Sequence, residues 1–284
     1  MSFTDDIRTG LKGTYGALIR LILINCIIFL AVNVTIGVLL LSDNGDLASG
    51  ISSLLNLPAH PDKIPFRFWT IFTYMFVHYD FFHLLSNMLW LWFLGKMFSD
   101  FLGGARLNAV YILGGLTGAV FFIAVSNMIP AFRNTTLVGA SAGVMAVVVA
   151  IATYQPDARV YPFGFSMKLK WLALISFILT TLLDLTSNTG GKAAHLGGAL
   201  FGMLYGYQIR KNSSFLSGFS GLFSRSKLRV EYSKSKLRND DVYNMSRAAI
   251  RKRVDEILDK ISRSGYDSLN KEEKEFLQKN HDKF

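Results

Sequence analysis

Residues 17–41 read "ALIRLILINCIIFLAVNVTIGVLLL", twenty-five positions with one charge, Arg20. Roughly 20 mainly apolar residues span the hydrocarbon core of a bilayer, so this run limits the fold to one that includes a membrane helix. Five further apolar runs follow at about 81–98, 108–129, 137–154, 169–186 and 193–209, the last two more polar because they carry Asp184 and His195. Hydrophobic residues make up 51% of the chain and 23 residues are Phe, an excess that points away from an ordinary soluble domain. The expected fold class is an all-α membrane protein with six transmembrane helices and a short helical cytosolic tail. The first run is longer than a typical signal-peptide core and has no small-residue cleavage site after it, so it is expected to be retained. The lone cysteine, Cys26, excludes an intrachain disulfide.

Charge sets the expected direction of the spans. The net charge is +10, and residues 210–284 supply +7 of it. In short loops, Lys and Arg collect at Arg8, Lys12 and Arg20, at Lys96 and Arg106, and at Arg159, Lys168 and Lys170. By the positive-inside rule these flanks face the cytoplasm. Both termini are then cytoplasmic, and spans two, four and six run inward from the outer surface of the inner (cytoplasmic) cell membrane. The loop 42–80 is rich in Leu, Phe and Trp but too broken to span. It is expected to lie in the outer interface, with Trp69, Tyr74 and Tyr79 at headgroup depth.

Against this background a few polar side chains stand out. His83 is two or three residues into span two, and Asn87 lies one turn further on the same helix face. Ser141, in "LVGASAGVMAVVVA", is about four residues into span four, and His195 is two or three into span six. At 1.5 Å rise per residue all four come to a common depth of roughly 5–10 Å below the outer boundary. A serine in a membrane helix usually bonds its own i−4 carbonyl, and an asparagine can be interhelical glue. Ionisable histidines inside spans are costly and mark function more often. Asp184 is read as a helix-end or loop contact. Ala194, Gly198, Gly202 and Gly206 recur every four residues, and span four offers Gly139, Gly143 and Ala146. Small-residue faces let helices approach closely, so spans four and six are expected to pack as the tight pair that a Ser–His hydrogen bond requires.

These residues resemble the rhomboid intramembrane serine proteases over roughly residues 60–209. The resemblance rests on "HYDFFHLLSNMLWLWFLG", "GASAG" and "AHLGGALFG" in that order. It implies a rhomboid-like bundle in which Ser141 is the nucleophile and His195 the general base. It further implies an oxyanion hole of the His83 and Asn87 side chains with the Ser141 backbone N–H, a supporting role for His78, and a match of Gly139 to the glycine two before the serine. Two positions depart from the family pattern. Ala142 stands where a second glycine is usual, and Met145 stands where an aromatic residue often packs on the base; its sulfur could take over that contact.

The reaction implied is hydrolysis of a peptide bond in or near the transmembrane segment of another membrane protein, through an acyl-enzyme, by a dyad that needs no cofactor or metal. The stretch "SNTGGKAA" (187–194), short and glycine-containing just above the base, could move aside as span five shifts and admit substrate. The alternative is a catalytically inactive rhomboid-fold binding or dislocation factor, although the presence of both Ser141 and His195 weighs against it. A transporter would want acidic groups near mid-membrane, and the spans offer almost none.

The expected organisation is a protease domain at 1–210, a basic linker at 211–240 and a small helical hairpin at 241–284. The linker is read as resting on anionic lipid rather than binding nucleic acid, with Phe215, Phe219 and Phe223 evenly spaced. The hairpin is predicted from Ile250, Val254, Ile257, Leu258 and Ile261 on one helical face and from a capping-box pattern at Asn270 and Glu273. It resembles small tails of bacterial rhomboids, and its partner is not legible in the sequence.

Overall fold

The computed structural model describes residues 11, 13–182, 189–211, 256–257, 259–262 and 264–280. The chain forms two compact units, residues 1–225 and 226–284. The expected linker lies, after Lys211, outside the described residues, as does Asp184.

The first unit is mostly helical. Its longer helices are α1 (Gly16–Leu41), α2 (Gly45–Leu55), α3 (Phe81–Leu102), α4 (Gly104–Met128), α5 (Ser141–Tyr154), α6 (Leu169–Phe177) and α7 (Thr189–Arg210), and α6 runs on into a π-helical turn, Ile178–Leu182. Each of the six apolar runs thus contains a helix among the described residues. Among the described residues, α1 and α4 are long and apolar enough to cross a membrane by length and composition, while α5 and α6 are shorter apolar helices. The 14 residues of α5 reach only about 21 Å at 1.5 Å per residue. This helix does not have to face lipid along its length, because Ala142–Val148 is buried by neighbouring helices.

The outer surface of the bundle is apolar as well as its core. Leu23, Ile27, Leu30, Val34 and Val38 form an exposed apolar stripe along α1. Polar groups lie within: Asn25 Nδ2 donates to Leu21 O (2.9 Å) and Tyr111 Oη (3.3 Å), and Tyr111 Oη donates to Met75 O (3.0 Å). Hydrocarbon suits such a surface, and satisfied polar groups suit such an interior.

The seam between α5 and α7 forms as the small residues predict, with Ala146 in it as expected but Ala142 and Ala150 in place of Gly139 and Gly143. Gly198, Gly202 and Gly206 lie against the backbone of Ala142, Ala146 and Ala150, where an added Cβ would collide with each carbonyl. Gly143 instead packs on Tyr111 of α4, its would-be Cβ 2.7 Å from the Tyr111 carbonyl. Ala142 is thus a seam residue: its methyl points to α4, not to the serine's cavity. A Cβ at Gly118 of α4 would meet Ala142 Cβ at 2.6 Å and Ala194 O at 3.0 Å, so three helices join one residue from both Ser141 and His195.

The segment 42–80 is braced more than a purely interfacial loop would be. Strand β1 (Leu57–Pro58) pairs antiparallel with β2 (Thr136–Leu137), with Leu57 opposite Leu137. Phe66, Phe68 and Phe72 are exposed, as an interfacial segment would have them. Trp69 Nε1 donates to Leu54 O (2.9 Å) and Tyr79 Oη to Asn56 Oδ1 (2.6 Å). Tyr74 does not sit at headgroup depth as expected. The 3₁₀ turn Tyr74–Phe76 carries it inward, fully buried, where its hydroxyl donates to Gly115 O at 2.7 Å.

Of the second unit, the capping box is present. Glu273 N–H donates to Asn270 Oδ1 (2.8 Å) and Asn270 N–H to Glu273 Oε2 (2.9 Å), opening helix α8 (Lys271–Asn280). Glu273 also accepts from Lys260 Nζ at 2.8 Å. Ile257 and Leu269 are buried. Ile250, Val254 and Leu258 of the predicted first helix lie outside the described residues.

Candidate active site

Ser141 is the first residue of α5, not four residues into a helix. The chain reaches it through β2 and then Gly139, whose φ of +108° is a conformation that disfavours any side chain. A Cβ at Gly139 would also stand 2.7 Å from His83 Cε1 and 3.0 Å from Nε2. Glycine is required there on both counts, and its absence of a side chain lets the His83 ring lie over the turn that presents Ser141.

The residues before the serine are gripped by the buried segment 74–78. Gly139 N–H donates to Tyr74 O (3.0 Å), and Ala140 N–H donates to His78 Nε2 (3.1 Å). His78 lies outside the expected spans and is fully buried. Burial first, and the neighbouring His83 second, lower its pKa to about 3, which keeps Nε2 an acceptor. The His78 and His83 rings meet edge to face, centroids 5.1 Å apart, and Asn33 Nδ2 of α1 donates to His78 O at 2.9 Å. His78 therefore holds the turn and stays behind it.

The first helical bond of α5 runs from Val144 N–H to Ala140 O. The N–H groups of Ser141, Ala142 and Gly143 thus begin the helix with no acceptor inside it, and the helix dipole adds positive potential at the same end. Nearby, Asp80 caps α3 by accepting His83 N–H at 2.7 Å. Asn87 Nδ2 donates to His83 O at 2.9 Å, which leaves the second amide hydrogen for another acceptor.

Ser141, His195, His83 and Asn87 all line one open cavity of about 620 Å³ between α3, α5, α6 and α7. Met145, one turn after Ser141, lines it too. Phe82, Trp90, Val144, Val148 and Leu179 make its walls largely apolar, a setting in which each hydrogen-bond donor acts strongly on developing charge. His195 is the seventh residue of α7, because the helix begins at Thr189, ahead of the expected start of span six at 193. Its Nδ1 stands 3.4 Å from Thr181 Oγ1 in the π turn.

Sequence reading overlooked three supports of this site. Asp80 carries a visible signal, an N-cap residue ahead of an apolar run. Gly118 and Thr181 carry none, since a glycine and a threonine in apolar helices announce no partner.

Residues 65–212, just over half of the chain, match the Rhomboid domain family, and residues 239–282 match a family of unknown function, DUF6576. The chain is 29% identical over 143 residues to Rhomboid protein 1, mitochondrial, of Saccharomyces cerevisiae, covering 48% of this chain and 40% of that protein. It is 29% identical over 141 residues to the human presenilin-associated rhomboid-like protein, mitochondrial (46% and 35%), and 33% identical over 141 residues to presenilin-associated rhomboid-like protein A, mitochondrial, of Danio rerio (46% and 34%). The alignments thus span less than half the length of these curated relatives. With a family match over the very residues that build the cavity and its helical frame, the chain belongs to the rhomboid family.

Proposed function

We propose that the protein is an intramembrane serine endopeptidase that cleaves other membrane proteins in or near their transmembrane segments. The observation that carries this reading is the single cavity shared by Ser141, His195, His83 and Asn87. Neutral His195 takes the Ser141 proton as Oγ bonds to the scissile carbonyl carbon. The carbonyl oxygen becomes an oxyanion facing Ser141 N–H, His83 and Asn87. Collapse breaks the C–N bond, and His195 returns the proton to the leaving amine. Water, activated by the same base, then hydrolyses the acyl-enzyme.

The same reading gives α1 and α3–α7 as six spans, with α5 shorter than a full span because it is enclosed. The distribution of Lys and Arg supports both termini in the cytoplasm and the cavity opening outward, with an inner cell membrane as the location that this reading takes. The basic tail meets lipid or a partner of its own and takes no part in the chemistry. A fluorophosphonate bearing a fluorophore should label the wild type and leave Ser141→Ala unlabelled. Equal labelling of the two would remove Ser141 as the nucleophile.

A further inference from the structure

Three hydroxyls follow one another on α6 and its π turn: Ser176, Thr180 and Thr181. Ser176 Oγ donates to Leu172 O (2.7 Å) and Thr180 Oγ1 to Ser176 O (2.8 Å), the ordinary i−4 bonds of hydroxyls in apolar helices. Thr181 differs. Its Oγ1 stands 3.4 Å from His195 Nδ1 across the gap to α7, and the side chain is buried, with 6% of the residue exposed.

The π turn explains how it gets there. In an α-helix, at about 100° per residue, position 181 would point roughly 140° away from Ser176. A π turn closes its hydrogen bonds over five residues and so brings the fifth residue back toward the same side. Ser176 and Thr180 line the cavity, and the wide turn lets Thr181 face α7 as well.

We propose that Thr181 is a positioning residue for His195: its hydroxyl oxygen accepts Nδ1–H, which leaves Nε2 as the nitrogen that takes the serine proton. This rests on the Ser141–His195 reading above and extends it, since a histidine base works only in the tautomer whose bare nitrogen faces the nucleophile. Among the residues lining the cavity, Asp80 is the one carboxylate, and it is engaged at the α3 cap. The distance of 3.4 Å is long for a settled hydrogen bond, and contacts of this kind tighten when substrate is bound.

The test compares Thr181→Val, which keeps shape and loses the hydroxyl, with Thr181→Ser, which keeps the hydroxyl, in the full chain on a detergent-solubilised transmembrane substrate. Thr181→Val should lower kcat by about three- to tenfold, the worth of one hydrogen bond, with KM unchanged. Thr181→Ser should stay within about twofold of wild type. Thr181→Ala serves in the same comparison if the valine variant does not fold. Wild-type kcat in the folded valine or alanine variant overturns the proposal, as does a serine variant no better than valine. In both cases, labelling of wild-type Ser141 by a fluorophosphonate keeps the dyad standing. A wild type that neither cleaves nor labels removes the dyad and the proposal with it.

Discussion

Replacing Gly202 by alanine should damage catalysis from a distance. Gly202 lies seven residues, about 10 Å along α7, from His195, so its methyl touches nothing in the cavity. The added Cβ would stand 3.0 Å from both Cα and C of Ala146 and closer still to its oxygen. Ordinary contact begins at 3.4 Å, so at this point α7 must retreat from α5 by up to about 1 Å. Backbone cannot rotate aside as a side chain does, and overpacking of this kind costs about 1–3 kcal/mol. A misplacement of 1 Å between reacting groups costs about a hundredfold, so a smaller shift of the His195 helix should lower kcat/KM by about tenfold. Activity on a detergent-solubilised substrate and thermal stability would be measured together. Gly37→Ala on α1 is the control, because a Cβ there meets nothing within 4 Å. If Gly202→Ala matched Gly37→Ala in both activity and Tm, the seam would not be what sets the distance between Ser141 and His195.

Three further outcomes are expected. His83→Ala and Asn87→Ala should each lower kcat more than they raise KM, because their donors meet full charge only in the transition state; steady-state kinetics showing a KM effect alone would make them binding residues. Truncation after residue 212 should leave kcat/KM in detergent within a few-fold of the full chain, with circular dichroism confirming the fold; a hundredfold loss would tie the tail to the site. His78 titrates at about 3 in the fold against 6.5 when unperturbed, so below pH 6.5 the unfolded chain takes up a proton that the folded one refuses. Stability should be full above pH 6.5 and fall as the pH drops toward 3, by up to about 1.4 kcal/mol per pH unit. Thermal melts of wild type and His78→Gln, whose amide can still accept from Ala140, should show a shallower fall in the variant.

The helices were legible because long apolar runs have few other uses, and the cavity was legible because His83 with Asn87, Ser141 and His195 read to matched depths in three separate runs. What escaped was set by contacts between distant segments. The pairing of Leu57 with Leu137 and the φ of Gly139 convert the start of the fourth run into a turn, so Ser141 opens its helix instead of lying within it. Tyr74 reads as an interfacial aromatic until its hydroxyl is seen on Gly115 O. Ala142 reads as a change beside the serine, yet its methyl faces Gly118. Thr181 is reached only through a π turn, which a 3.6-residue period does not reveal.

The central claim is that Ser141 and His195 work together on a peptide bond within the membrane. The most direct measurement is cleavage of a transmembrane substrate co-reconstituted in liposomes with wild type, Ser141→Ala or His195→Ala, each checked for helical content by circular dichroism. Wild type should cleave the substrate and neither folded variant should. Cleavage by either variant at near the wild-type rate would contradict the claim.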